Sequence, residues 1–256
     1  MQKMVLKDVL KILDAIAPFE TTEEWDSTGL MVGDPQQEIR STLVALEPSL
    51  DVIDSACERG IDLIITHHPL VFQPLQRIDL SRVVSRKIAE LIRHGISLVS
   101  MHTNLDKAQG GVADELARSL SLQNVKHFGM LRVGTTSAPV GLHAWVRTLP
   151  FRHVRIADAS RAVQTVGFCP GSGMDSWMQA LDLGCDTFLT GDVRYHAALD
   201  AKEAGMNVVD PGHFASEEII VEPLSSRLRE MLPGMDINVH HGVDVFEFIT
   251  QKERED

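Results

Sequence analysis

One six-residue run constrains the chain most. Ile61-Asp62-Leu63-Ile64-Ile65-Thr66 is rich in β-branched and apolar side chains and reads as a short buried strand that leads into His67-His68-Pro69. Pro69 cannot donate to a sheet ladder, so a central strand must stop there. In an open α/β sheet the carboxyl ends of the strands are where ligands bind. Two adjacent imidazoles at such an end are a natural start to a metal site, because neutral imidazole ligates Zn and Fe readily. Paired histidines also occur in loops with nothing bound. The reading therefore turns on whether carboxylates and further histidines stand in equivalent places.

With 256 residues and 44% apolar content, the chain can bury a substantial core as one large or two modest domains. A net charge of −12 argues against a nucleic-acid backbone partner, which would want a basic face, and disfavours an anionic membrane surface. Residues 1–20 carry Lys3, Lys7 and Lys11 among Val5, Leu6, Val9, Leu10, Ile12, Leu13 and Ile16. That is an amphipathic helix rather than a signal peptide, and no window is long and apolar enough to span a bilayer. Cys57, Cys169 and Cys185 are isolated and odd in number, with no CxxC spacing. Neither a cysteine-type zinc site nor a disulfide framework follows, and a reducing cytoplasm is the natural setting.

Strands and helices alternate along the first half. Residues 42–46 read as a strand, 49–58 as a helix stopped by Gly60, 81–94 as a helix stopped by Gly95, and 96–101 as another strand. Strand, helix, strand with short links is the βαβ unit of a parallel sheet. Gly110-Gly111 opens a helix through about Leu120. Trp25, beside Asp26 in a loop, either lines a cleft or anchors that loop to the body, and the second, plainer reading is preferred. From about Lys126 to Thr148 the pattern turns to an antiparallel hairpin region, a candidate entry to a second domain. Residues 151–160 read as a helix, 163–168 as a strand, and Gly171-Ser172-Gly173 leads into a helix over 174–183. A glycine turn opening a helix can cradle a phosphate. A tight βα turn needs the same glycines, and that reading is preferred.

The chain also echoes itself. Gly60-Ile61-Asp62-Leu63-Ile64-Ile65-Thr66-His67-His68 aligns with Gly184-Cys185-Asp186-Thr187-Phe188-Leu189-Thr190-Gly191-Asp192. Each segment is followed by a helix ending at a glycine and then by a strand. The strands finish in His102-x-x-x-Asp106 and His213-x-x-x-Glu217. Two sheet edges would then face one cleft. The candidates are His67, His68, His102, Asp106, Asp192, His196, His213 and Glu217, a donor set suited to two ions of Zn, Fe or Mn. Glu217, at the start of a helix over 215–231, would be kept ionised by that helix's positive end. Each candidate has a bland alternative: His102 as a buried histidine bonded to backbone, Asp192 as a cap for the helix beginning at Arg194, His196 as an exposed side chain. His240-His241, His94, His127, His143 and His153 are assigned no role.

The chain resembles the Nif-three-like family, whose members are often labelled GTP cyclohydrolase 1 type 2 homologues. The resemblance runs through Glu24-Trp25-Asp26-x-x-Gly29-Leu30, Asp62 to Leu70, His102-Thr103-Asn104-Leu105-Asp106, Thr190-Gly191-Asp192-x-x-Tyr195-His196 and Gly212-His213-Phe214-Ala215-x-Glu217. It implies a two-domain, layered α/β/α protein with a mostly parallel sheet in the main domain (1–125 plus 211–256) and a smaller mixed-sheet α/β domain (126–210). It also implies a dinuclear metal site in the cleft between them and a toroidal homohexamer. By motif the metal ligands would be His67, His68, Asp106, His213 and Glu217, leaving His102, Asp192 and His196 as supporting or catalytic candidates. Ser27, where the family commonly has Asn, and Glu47-Pro48, replacing an Asp-containing turn, bear on substrate contacts more than on metal. The expected activity is hydrolysis of a nucleotide-like substrate by metal-bound hydroxide, with His196 or His102 moving a proton. A protein that handles or delivers metal, or a partner-binding scaffold without turnover, is the alternative from another class.

Overall fold

Why strands such as Leu63–Thr66 lie flat between helices is plain from their alternation. Leu63 and Ile65 pack into one apolar cluster and Ile64 into another, so the strand is buried on both faces. The computed structural model describes residues 4–249. In its first part come β1 (Met4–Val5), α1 (Leu6–Ile16), β2 (Gly29–Val32), β3 (Glu38–Ile39), β4 (Ser41–Ala45), α2 (Leu50–Arg59), β5 (Leu63–Thr66), α3 (Val83–His94), β6 (Ser97–Ser100), α4 (Thr103–Lys107) and α5 (Val112–Ser119). There follow β7 (Gln123–Phe128), β8 (Leu131–Gly141), α6 (Leu142–Val146), β9 (Arg155–Ala157), β10 (Ala162–Phe168), α7 (Trp177–Asp182), β11 (Thr187–Leu189), α8 (Tyr195–Glu203) and β12 (Asn207–Asp210). The chain ends with α9 (His213–Glu217), α10 (Val221–Met231) and β13 (Asp236–Val239).

Two sheets carry the fold. The first, in order β13-β4-β5-β6-β2, is parallel except for β2 at its edge. The second, β7-β8-β10-β11-β12-β9, is mixed: β10, β11 and β12 run parallel, while β8 and β9 pair antiparallel to them. Helices cover both faces of each sheet. In the first, α1 and α10 supply Leu6, Val9, Leu13, Leu224 and Leu228 to one side, and α2 and α3 supply Val52, Ile53, Ile88 and Leu91 to the other. In the second, α5 and α6 face α7 and α8 across β10 and β11. The fold is thus α/β with a mostly parallel and a mixed sheet. Helix α5 joins the two cores, giving Val112 to one and Leu116 to the other.

Local expectations failed in four places. The amphipathic helix expected over 1–20 is the shorter α1: Met4–Val5 pairs with Glu38–Ile39 instead, and residues 1–3 lie outside those described. Residues 151–160 hold strand β9 rather than a helix, because Arg155 to Ala157 complete the edge beside β12. His143 to Val146 lie in α6, tucking Leu142 and Trp145 into the core, instead of in a hairpin arm. The helix expected over 215–231 is broken into α9, a 3-10 turn at Glu218–Ile220, and α10. Among the described residues no helix is long and apolar enough to cross a membrane.

Candidate metal centre

The site lies where the carboxyl ends of β5 and β6 meet the segment that follows β12. Strand β5 delivers His67 and His68 directly. β6 leads to His102, and the single-turn α4 then turns Asp106 inward. After β12, α9 carries His213 and Glu217 on one face, four residues apart.

Each imidazole is tied through Nδ1 on its outer side. His67 Nδ1 donates to the Met101 carbonyl at 2.9 Å, and His68 Nδ1 lies 2.6 Å from Glu47 Oε1. His102 Nδ1 is 2.7 Å from Asp26 Oδ1, and His213 Nδ1 is 2.7 Å from Asp192 Oδ2. Such outer partners orient each ring and turn its Nε2 toward the centre. The Nε2 atoms converge: His68 and His213 are 3.3 Å apart, and each is 3.0 Å from Glu217 Oε2. His67 Nε2 is 3.6 Å from Asp106 Oδ1 and 3.7 Å from Glu217 Oε1.

Three of these buried atoms, His67 Nε2, Asp106 Oδ1 and Glu217 Oε2, sit in no hydrogen-bonding geometry. Orphaned buried polar atoms are costly, and a cluster of them is what a cation would satisfy. Three overlapping sets each place ligand atoms within 4.8 Å of one another: His67, His68 and His102; His68, His213 and Glu217; His67, Asp106 and Glu217. His67, His68 and Glu217 therefore each belong to two sets. These imidazole and carboxylate groups could hold a metal ion.

Electrostatics agree with a cluster built for charge. Burial lowers the His68 pKa, but the facing carboxylates of Glu217 and Glu47 outweigh it and carry the ring to about 10. His213 goes to about 9 in the same way, with burial opposed by Glu217 and Asp192. Asp106 rises to about 6, from burial first and then against the His67 field by the charge of Glu217. For Glu217 burial is overcome by His67, His213 and His68, which hold it well below the ordinary carboxylate range. Those imidazoles account for its ionisation, and Glu217 is the last residue of α9 instead of lying at the start of a long helix over 215–231.

The surrounding residues are ones that sequence patterns conceal. Asp26 is fully enclosed and also takes hydrogen bonds from Thr103 N and Oγ1, 3.2 and 2.6 Å. Glu47 orients His68, so its departure from the family pattern bears on this cluster and not on substrate contacts alone. Arg132, fully buried on β8, donates to the carbonyls of Asp106 and Lys107 at 3.5 and 3.1 Å, and so lets the second sheet steady α4. At Gly171, φ is +60° and a Cβ would lie 2.1 Å from Glu217 Oε1 and 3.1 Å from His213 Nε2. The glycine turn thus makes room for Glu217 and His213.

Of the other candidates, His102 joins the cluster, its ring 5.1 Å from His67 and 5.4 Å from His68. Asp192 steadies His213, while α8 begins at Tyr195 with Arg194 before it. His196 stands apart, exposed on α8 and edge-on to Tyr195. Trp25 does not anchor its loop in the core: it is 59% exposed and forms a ledge with Phe72 beside His102, at centroid distances of 5.9, 6.4 and 5.9 Å. His240-His241 meets carboxylates brought by other elements, Asp51 at 2.9 Å and Glu218 and Glu222 at 3.2 and 3.1 Å. Both ring nitrogens of His241 are occupied, which leaves no lone pair for an ion.

Comparison with known proteins gives one consistent result. The model of the Duf34/NIF3 (NGG1p interacting factor 3) family matches residues 4–247. A Clostridium perfringens protein named GTP cyclohydrolase 1 type 2 homolog is 34% identical over 267 residues, spanning 99% of this chain and 98% of its own. A Clostridium acetobutylicum protein of the same name is 30% identical over 263 residues, spanning 95% and 98%. The crystal structure of a Staphylococcus aureus hypothetical protein has a TM-score of 0.89 at 27% identity, covering 97% of this chain and all of that one.

Proposed function

The chain belongs to the Duf34/NIF3 family, and from that premise we propose that it is a metal-dependent hydrolase using two divalent cations on a nucleotide-like substrate. The observation that carries the reading is the convergence of four outward-tethered imidazoles on two buried carboxylates whose inner oxygens lack partners. His67, His68, Asp106, His213 and Glu217 would hold the ions, Zn, Fe or Mn. When bound, two such cations acidify water and stabilise developing negative charge on the attacked group.

The chain's own groups supply the rest. His102, with Nδ1 fixed by Asp26, offers Nε2 to take or give a proton at the cluster edge. Its position favours it for this role over His196. Asp192 keeps His213 in one tautomer. The name carried by the Clostridium relatives points to GTP, where water would add at C8 of the guanine ring, the ring would open, and a second water would release that carbon as formate. We extend the reading to a homohexamer, checked by light scattering.

The test is formate release from GTP by protein loaded in turn with Zn, Mn and Fe, compared with His102→Ala. Metal-dependent formate that falls in the variant supports the reading. No formate with any metal removes GTP as substrate. If, in addition, the ions pass readily to an acceptor chelator, a metal carrier is the better description.

A further inference from the structure

Lys87 is the unexplained charge beside the cluster. A cavity of about 1070 Å³ opens against His68, Asp192 and His213, with Phe214, Val243 and Phe246 as an apolar wall. Carboxylates also line it, and four are engaged: Glu47 with His68, Asp192 with His213, Asp210 with Arg155, and Asp244 with the Phe246 N–H; Glu247 completes the set. The other basic side chains lining it are engaged. Arg155 is ion-paired with Asp210 and donates to the Val193 carbonyl, and the His153 ring stacks on Phe248 at 4.0 Å. Lys87, on α3, is half-buried, and among the described residues it makes no hydrogen bond or ion pair. Burial pulls its ammonium below the ordinary lysine range, partly offset by the field of Glu47. A half-buried ammonium that makes no hydrogen bond or ion pair keeps its three donors open to an incoming anion.

We propose that Lys87 holds the anionic group of the ligand, and that this ligand is a phosphate-bearing molecule whose apolar or aromatic body lies along Phe214 and Phe246. An ammonium is a compact point charge with three donors, suited to a tetrahedral oxyanion, whereas a planar carboxylate is better matched by arginine. The assignment rests on the cluster being the reaction centre, and makes Lys87 a specificity determinant there and not a catalytic residue.

The test is calorimetric titration of the metal-loaded full chain with GTP, guanosine and inorganic triphosphate, for the parent, Lys87→Met and Lys87→Arg. In Lys87→Met, binding of GTP and triphosphate falls ~10-fold or more and the preference for GTP over guanosine shrinks equally, while Lys87→Arg recovers most of both. The proposal is overturned if Lys87→Met binds all three probes as the parent does, weakens all three alike, or if the parent binds neither phosphate-bearing probe. Failure of the hydrolase reading is a separate outcome: GTP binds in a Lys87-dependent way and no formate appears.

Discussion

The two βαβαβ units, β4 to β6 and β10 to β12, follow the same rules and end differently. In the first, the Asp62 carboxylate accepts the backbone N–H groups of Arg40 and Ser41 at 2.8 and 3.1 Å. In the second, Asp186 does the same for Gln164 and Thr165 at 3.0 and 2.8 Å. Each crossover helix stops at a glycine in the left-handed region, Gly60 and Gly95 in one unit, Gly184 and Gly205 in the other. The outcome diverges just after the middle strand. The first unit presents His67-His68 and the second Gly191-Asp192. A Cβ on Gly191 would lie 2.5 Å from the backbone N of His213 and 2.7 Å from the Gly171 carbonyl oxygen. One sheet edge thus supplies imidazoles, and the other supplies bare backbone against which an imidazole from the next segment is set. Equivalent frames can carry inequivalent halves of one site.

The sharpest way to break that comparison is Gly191→Ala. Its methyl group meets backbone that cannot step aside, so we expect a loss of about 3 kcal/mol, read from urea denaturation. A variant as stable as the parent would show that the second edge does not need its glycine. The framework claim is tested by Asp62→Ala and Asp186→Ala, each expected to cost about 2 kcal/mol because backbone donors lose a charged acceptor. Clearly unequal losses would contradict the equivalence of the two units.

Acid tests the ligand edges. Cation binding must displace the protons that His68 holds up to about pH 10 and His213 up to about pH 9. Affinity therefore rises with pH below those values, roughly tenfold per unit for each proton displaced, and weakens further where Asp106 protonates near pH 6. Chelator competition across that range measures it, and a flat profile would refute the cluster's protonation. The smallest change is Glu47→Gln, which keeps the shape but weakens the hold on His68 Nδ1 and should cost about tenfold in metal affinity. An unchanged dissociation constant would make Glu47 a bystander.

Much of this was legible in the sequence because periodicity writes itself there. The buried strand ending in His67-His68 and the paired His-x-x-x-carboxylate motifs place donors at strand ends before any coordinates are seen. Asp26, Glu47 and Arg132 were not legible as supports: the first two approach from loops whose course no pattern fixes, and Arg132 crosses from the other sheet. The pair at His240-His241 looked bare for the same reason, since its carboxylates lie on other segments. The break after Glu217 escaped the helical pattern because the apolar spacing of Ile219, Ile220, Val221 and Leu224 continues through the 3-10 turn.

The central claim is that ligands from both units grip a pair of cations, and metal-to-protein stoichiometry tests it most directly. Elemental analysis of the full chain, purified and equilibrated with Zn or Mn and then desalted, should give two ions per chain. That number should fall in His67→Ala and in Glu217→Ala while circular dichroism reports an intact fold. A parent that retains no ion, or variants that both retain two, would contradict it.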